Sequence, residues 1–247
     1  VDGAAAGIYR LTPLASLVIR SFIAYDPISS LGQFTLRNYT QLFINQRQSY
    51  FYVPPIQAAI NSLVFGGITV LISLVLGTSM SYAQTNLPRL KKWIDNLVML
   101  PLGASAVTLG LGFLITFNKP PFDVANFPVL IPIAHSLIAF PFVLRAVQPV
   151  LSSIPRQLKD AAATLGASPW KVWWQVEVPI VSRAMLVGGI YAFAISLGEF
   201  GATSFLARAD LPTLPVAIYR FLSQPGDLNY GQALAMALNP YTGTAAT

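Results

Sequence analysis

No cysteine occurs among the 247 residues. Neither a disulfide framework nor a thiolate metal site is therefore open to this chain. Histidine is almost as scarce. His135 stands alone, which rules out a two-histidine metal site within one chain and leaves any histidine-based triad to a residue deep in an apolar run. Glutamate occurs only as Glu177 and Glu199. Charge of either sign is thin: Asp, Glu, Lys and Arg together make 10% of the chain, against roughly 25% in soluble domains. That is too little to solvate a globule of this size. No Gly-x-x-x-x-Gly-Lys-Ser/Thr phosphate loop occurs, so ATP has no such cradle here.

What is abundant is apolar surface. Hydrophobic residues make 54% of the sequence and the mean hydropathy is +0.60. A formal charge of +6 would suit a nucleic-acid partner, but the basic residues sit in short loops between apolar spans. That pattern suits a membrane protein, with lipid and not nucleic acid as the partner.

A helix needs about 20 apolar residues to cross a bilayer. Four stretches qualify: Ile56 to Ala83, Asn96 to Asn118, Val124 to Leu144, and Ala184 to Ala207, the last interrupted only by Glu199. None alternates like a barrel strand, so helices are expected. Leu11 to Tyr25 reads as a weaker first span whose Arg20 snorkels outward. After Leu238 the tail Asn239-Pro240-Tyr241-Thr242-Gly243-Thr244 is too polar to finish a crossing, and a last helix reads as truncated or replaced. No signal peptide with a cleavage site is visible. Arg89, Lys91 and Lys92 fill one short loop. Arg145, Arg156, Lys159, Lys171 and Arg183 fill another. These alternate connections are expected inside, with Val1 inside and Leu31 to Pro54 outside.

The connection from Ser152 to Pro179 reads as two short helices with a break. Ser153 is expected to cap the first, with proline in its opening turn. Gly166 ends it in the left-handed conformation. Ser168 caps the second, with Pro169 at its first position. Trp170, Trp173 and Trp174 are spaced to share one face at the membrane–water boundary. Ala161, Ala162 and Ala163 present small side chains that let a partner's surface approach closely. From the residues alone, an ordinary amphipathic linker fits as well.

The same stretch resembles the cytoplasmic loop of binding-protein-dependent ATP-driven importer permeases. That pattern is Glu-Ala-Ala, a glycine four residues beyond the second alanine, then an aliphatic-x-Leu-Pro ending. Asp160-Ala161-Ala162, Gly166 and Val176-Glu177-Val178-Pro179 fill it, with Asp for Glu at 160, Val for Ile at 176 and Val for Leu at 178. Further likenesses lie at Ala58-Ala59-Ile60-Asn61-Ser62-Leu63 and Leu100-Pro101-Leu102-Gly103. Ser196 to Thr203 and Leu211 to Tyr219 resemble the iron(III), thiamine, sulfate and molybdate branch. Arg37-Asn38-Tyr39 resembles the start of the second half of a fused permease. The likeness runs from about Leu14 to Ala237, over most of the chain.

The resemblance implies an all-α fold, a polytopic transmembrane helical bundle of about five to six spans with a short cytoplasmic coupling helix. Residues 1–247 are expected to form a single permease domain, one half of a fused permease or close kin of one, in a bacterial inner membrane. The implied partners are a dimer of ATP-binding subunits, a second permease half or copy, and an extracytoplasmic substrate-binding protein. The helix near Arg156 to Ala167, with Asp160, Ala161, Ala162, Ala163 and Gly166, is expected to dock on the ATPase. No catalytic residue, metal or cofactor is expected. Iron(III) or thiamine ranks first as substrate, then molybdate or sulfate.

Glu199 is the one acid well inside an expected span, and an intramembrane acid costs about 2.5–3.5 kcal/mol on insertion scales. It reads either as a residue of the translocation path, with Asn61 and Thr203, or as a structural hydrogen-bond acceptor beside Gly198 and Gly201. Those two glycines allow close helix packing in either case. His135 and Asn61 read more readily as satisfied packing residues. Pro128, Pro132 and Pro141 are expected to mark irregular backbone that can line a cavity. Two rivals are a membrane enzyme, for which no clustered acid, base or metal site is visible, and an ATP-independent channel or secondary transporter.

Overall fold

The computed structural model describes residues 2–25, 32–44, 52–118 and 127–238. The polar tail after Leu238, Val1 and the start of the expected span at Val124 lie outside these residues. The chain forms two compact units, Val1–Ser62 with Ala207–Thr247, and Leu63–Leu206.

The first unit holds α1 (Asp2–Ser21), a two-stranded antiparallel ribbon of β1 (Ile23–Tyr25) and β2 (Gly32–Phe34), the short α2 (Arg37–Thr40), and the opening turns of α3 (Pro55–Asn86). It also holds α11 (Leu214–Leu222) and α12 (Asp227–Leu238). Leu42, Ala58, Ala217 and Met236 form its buried core. Polar pairs supplement that core. Asn38 is buried and its Nδ2 donates to the carbonyls of Ser21 (2.8 Å) and Ile23 (3.2 Å). The hydroxyls of Ser21 and Tyr39 pair at 2.9 Å. The Arg37-Asn38-Tyr39 likeness therefore falls on residues that fasten this unit together.

The second unit holds the rest of α3, α4 (Pro88–Gly103), α5 (Ala106–Phe117), α6 (Leu130–Ser153) and α7 (Arg156–Thr164). It continues with α8 (Pro169–Val172), a π-helical turn at Trp173–Glu177, α9 (Val178–Gly198) and α10 (Thr203–Leu206). Its core is the seam of α6 and α9, where Ala139, Val143, Val147 and Leu151 meet Val181 and Ala192. Close approach explains two glycines here. A Cβ at Gly188 would lie 3.0 Å from Val143 Cα, and one at Gly77 would lie 2.7 Å from Val143 Cβ. Small residues at such crossings let helix backbones pack where lipid removes the ordinary hydrophobic drive.

Among the described residues, three continuous helices are long and apolar enough to cross a membrane: Pro55–Asn86, Leu130–Ser153 and Pro169–Gly198. The expected single span at Asn96–Asn118 is instead a broken pair. Lys91–Gly103 and Ala106–Phe117 meet at 96°. Ser105 causes the break: it adopts an extended conformation and its Oγ accepts the Thr108 amide at 3.1 Å, starting a new helix. Counted as one span, the pair brings the number among the described residues to four, and the further helices are consistent with the expected helical membrane bundle. Within α6 the helix runs on through Pro141 and Pro149.

Candidate functional site

The segment between α6 and α9 is built from its sequence almost as read, with two corrections. Ser153 does not cap α7. Its hydroxyl donates to the Val150 carbonyl at 2.8 Å, within the last turn of α6. Proline disfavours helix in the residue before it, so Ile154 is extended and the N-cap position of α7 falls on Pro155. At its other end α7 closes as expected. Gly166 has φ +84°, its amide donates to the Ala163 carbonyl at 2.9 Å, and the Ala167 amide donates to Ala162 at 3.0 Å. This is the Schellman arrangement, which asks for a left-handed residue. Ser168 then accepts the Lys171 amide, with Pro169 opening α8.

No residue of α7 is buried, and Leu165 just beyond it is 88% exposed. Asp160, Ala161 and Ala163 are exposed and Ala162 half-buried. Lys159 forms an ion pair with Glu177, whose carboxylate is buried.

The second correction concerns the tryptophans. Trp170 and Trp174 are exposed and meet edge to face at 5.8 Å. Trp173 turns the other way, onto Tyr82 of α3 at 5.2 Å. Adjacent residues of a helix lie far apart in azimuth, and the π turn shifts the register further. Pro179 accounts for that turn. It lacks the amide that would close an α-helical bond to Gln175, and its ring crowds that carbonyl.

A second cluster lies deep in the same unit. His135, 1% exposed, stands on α6 with Nδ1 2.7 Å from Ser196 Oγ of α9 and Nε2 2.6 Å from Thr203 Oγ1 of α10. Glu199 stands 3.3 Å from Nε2. Its carboxylate accepts the amides of Ala202 (2.9 Å) and Thr203 (3.1 Å) and the Thr203 hydroxyl (2.9 Å). Thr203 has one hydroxyl proton; given to Glu199, it leaves Nε2 as the donor to Thr203. Ser196 Oγ also stands 3.3 Å from Thr69 Oγ1 of α3. Four helices thus share one buried polar chain.

Glu199 is not inside a helix, as the uncharged run suggests. Helix α9 stops at Gly198, and Glu199 is extended there and caps α10. Gly201 does allow a close approach, since a Cβ would lie 3.1 Å from the Val107 amide nitrogen, but Gly198 has nothing within 4 Å. Glu199 and Thr203 are brought together. Asn61 is not among them: it belongs to the first unit, where Nδ2 donates to the Pro212 carbonyl at 3.1 Å. Ser62 beside it accepts the Leu214 amide at 2.7 Å. Ser196 and Thr69 join the cluster without any warning in the sequence, because a serine or threonine in an apolar run gives no distinct signal. Among the described residues no group of three or more His, Cys, Asp or Glu could hold a metal ion.

Known proteins share most of this frame. The family described as binding-protein-dependent transport system inner membrane component matches residues 73–238, which include α7 and most of the buried polar chain. The molybdenum transport system permease protein ModB of Escherichia coli K12 is 30% identical over 189 residues, 70% of this chain and 82% of that protein. A Salmonella typhimurium protein named as a 2-aminoethylphosphonate transport system permease, PhnV, is 29% identical over 182 residues, 73% of this chain and 68% of that protein. A Chlorokybus atmophyticus protein named as a sulfate transport system permease, CysT, is 30% identical over 190 residues, 71% of this chain and 64% of that protein.

Proposed function

This chain belongs to the binding-protein-dependent transport system inner membrane components, and on that premise we propose that α7 is the element through which an ATPase subunit drives it. The chain is a multi-pass inner-membrane permease subunit of an ATP-driven importer, not itself an enzyme, and works with an ATPase and a binding protein. One observation carries the reading of α7. A nine-residue helix with no buried residue, and with Leu165 bare at its tip, connects two apolar spans and closes on Gly166. A helix presented in this way has its surface free for a groove on a partner.

Asp160, Ala161, Ala162, Ala163 and Gly166 form the contact in this reading. Nucleotide binding draws the ATPase pair together, α7 follows, and the permease alternates its access between the two sides of the membrane. A second permease copy or half completes the path. Glu199 and Thr203 serve that path indirectly: their hydrogen bonds are spent on each other, on His135 and on the start of α10, so they hold the helix ends and do not contact solute. Asn61 likewise fastens the segment at Pro212.

A small tetrahedral oxyanion or phosphonate is the substrate class best supported, because the relatives above carry molybdenum, sulfate and 2-aminoethylphosphonate in their names. Iron(III) and thiamine, ranked first by sequence likeness, do not occur in those names.

The test is co-purification of candidate ATPase subunits with the intact chain and with an Ala162→Arg, Gly166→Pro variant. Retention by the intact chain and loss from the variant is the expected result. An intact, folded chain that retains none sinks the reading and favours gradient-driven transport. Uptake of labelled molybdate, sulfate, 2-aminoethylphosphonate, iron(III) and thiamine with the matching binding protein then separates the substrates.

A further inference from the structure

Helix α7 has little to hold it. It has no buried side chain, and Lys159 and Ala162 are its only half-buried residues. Pro155 and Gly166 bound it with non-helical backbone. A push on such an element would be absorbed at its two ends unless something ties its middle to a span. Lys159 supplies that tie. It reaches Glu177, which is 2% exposed and lies in the π turn at the foot of α9. A carboxylate so buried needs its cation, and pulling the two apart would leave an uncompensated charge out of water. Separation is thus penalised in any state that keeps Glu177 buried. Past Glu177 the helix continues unbroken to Gly198 and packs on α6 through Val181 and Ala192.

We propose, building on the coupling role of α7, that the Lys159–Glu177 ion pair is the strut that carries displacement of α7 into the α6–α9 seam. The two residues are positioning residues: neither touches solute or nucleotide. The π turn has a part in this. By opening the helix before Pro179 it sets Glu177 toward α7 while Trp173 anchors the same turn on Tyr82. In each transport cycle α7 and the foot of α9 move as one body.

The absence of native cysteine makes the test direct. A Lys159→Cys, Glu177→Cys variant is assembled with a cysteine-free ATPase partner and the binding protein in vesicles. Uptake per ATP hydrolysed is measured before a bis-methanethiosulfonate crosslinker, after it, and again after reductant. The ATPase should stay bound throughout. Uptake per ATP should fall about tenfold without the crosslink, a typical coupling energy, recover with it, and fall again on reduction. A charge-swapped Lys159→Glu, Glu177→Lys chain should likewise recover most of what Lys159→Met loses, and it decides the question in the same way if the cysteine variant does not fold. Undiminished coupling without the crosslink overturns the proposal, and so does a crosslinked, ATPase-bound protein that stays uncoupled. Failure of the unsubstituted chain to bind any ATPase instead removes the coupling role of α7 itself.

Discussion

The carboxylate of Glu199 faces His135 Nε2 at 3.3 Å and at the same time receives the backbone amides of Ala202 and Thr203. One acid therefore ends α9, starts α10 and ties both to α6. Replacing it with alanine strands two buried amides and the Thr203 hydroxyl. Each unsatisfied donor costs about 1–3 kcal/mol, so Glu199→Ala should lower the detergent unfolding temperature markedly. Glu199→Gln, which keeps an acceptor oxygen, should cost less. Uptake per folded transporter should hold in the Gln variant. A Gln variant of native stability that no longer transports would return Glu199 to the solute path.

The α6–α9 seam gives a steric prediction. Gly188 has the Val143 backbone 3.0 Å from where a Cβ would stand. Backbone cannot rotate away, so Gly188→Val should cost about 1–3 kcal/mol, as overpacked sites do. Gly67 has nothing within 4 Å, and Gly67→Ala should stabilise its helix by about 0.5–1 kcal/mol. Thermal unfolding of the two variants side by side checks both signs.

The long apolar helices and the α7 connection are legible in the sequence because their signals are local: uncharged length, Pro169 after Ser168, Gly166 after a short helix. What the sequence hides depends on events that one polar residue decides inside an apolar run. Ser105 looks like any small residue between Asn96 and Asn118, yet it caps and turns the chain. Glu199 interrupts a run of fitting length, so the run reads as one span although α9 ends beside it. The tryptophan spacing presumes α-helical phase, which Pro179 breaks. The polar chain through Thr69, His135, Ser196 and Thr203 joins residues far apart in sequence, and nothing local announces such partners.

The fastening of the first unit at Asn61 and Ser62 is testable without transport. Asn61 donates to the Pro212 carbonyl and Ser62 accepts the Leu214 amide, on either side of Thr213. Each bond is worth about 1 kcal/mol net. An Asn61→Ala, Ser62→Ala chain should become more open to limited proteolysis between Ala207 and Leu214, with co-purification of the ATPase unchanged. Cleavage unaffected at that segment would show that other contacts hold it.

Leu165 gives the sharpest separation between folding and partner binding. It stands at the C-terminal end of α7, 88% exposed, and it contributes almost nothing to the fold of this chain by burial. A leucine that becomes fully buried against a partner gains about 1.5–3 kcal/mol. That is about tenfold or more in affinity. Leu165→Ser should therefore leave the unfolding temperature of the isolated chain unchanged while weakening its binding to the ATPase subunit by about tenfold, as measured by titration in detergent. Helix propensity does not confuse the outcome, because Leu165 lies at the C-cap and not in the body of α7. If the unfolding temperature falls and affinity holds, Leu165 packs within this chain, and the docking surface lies elsewhere on α7.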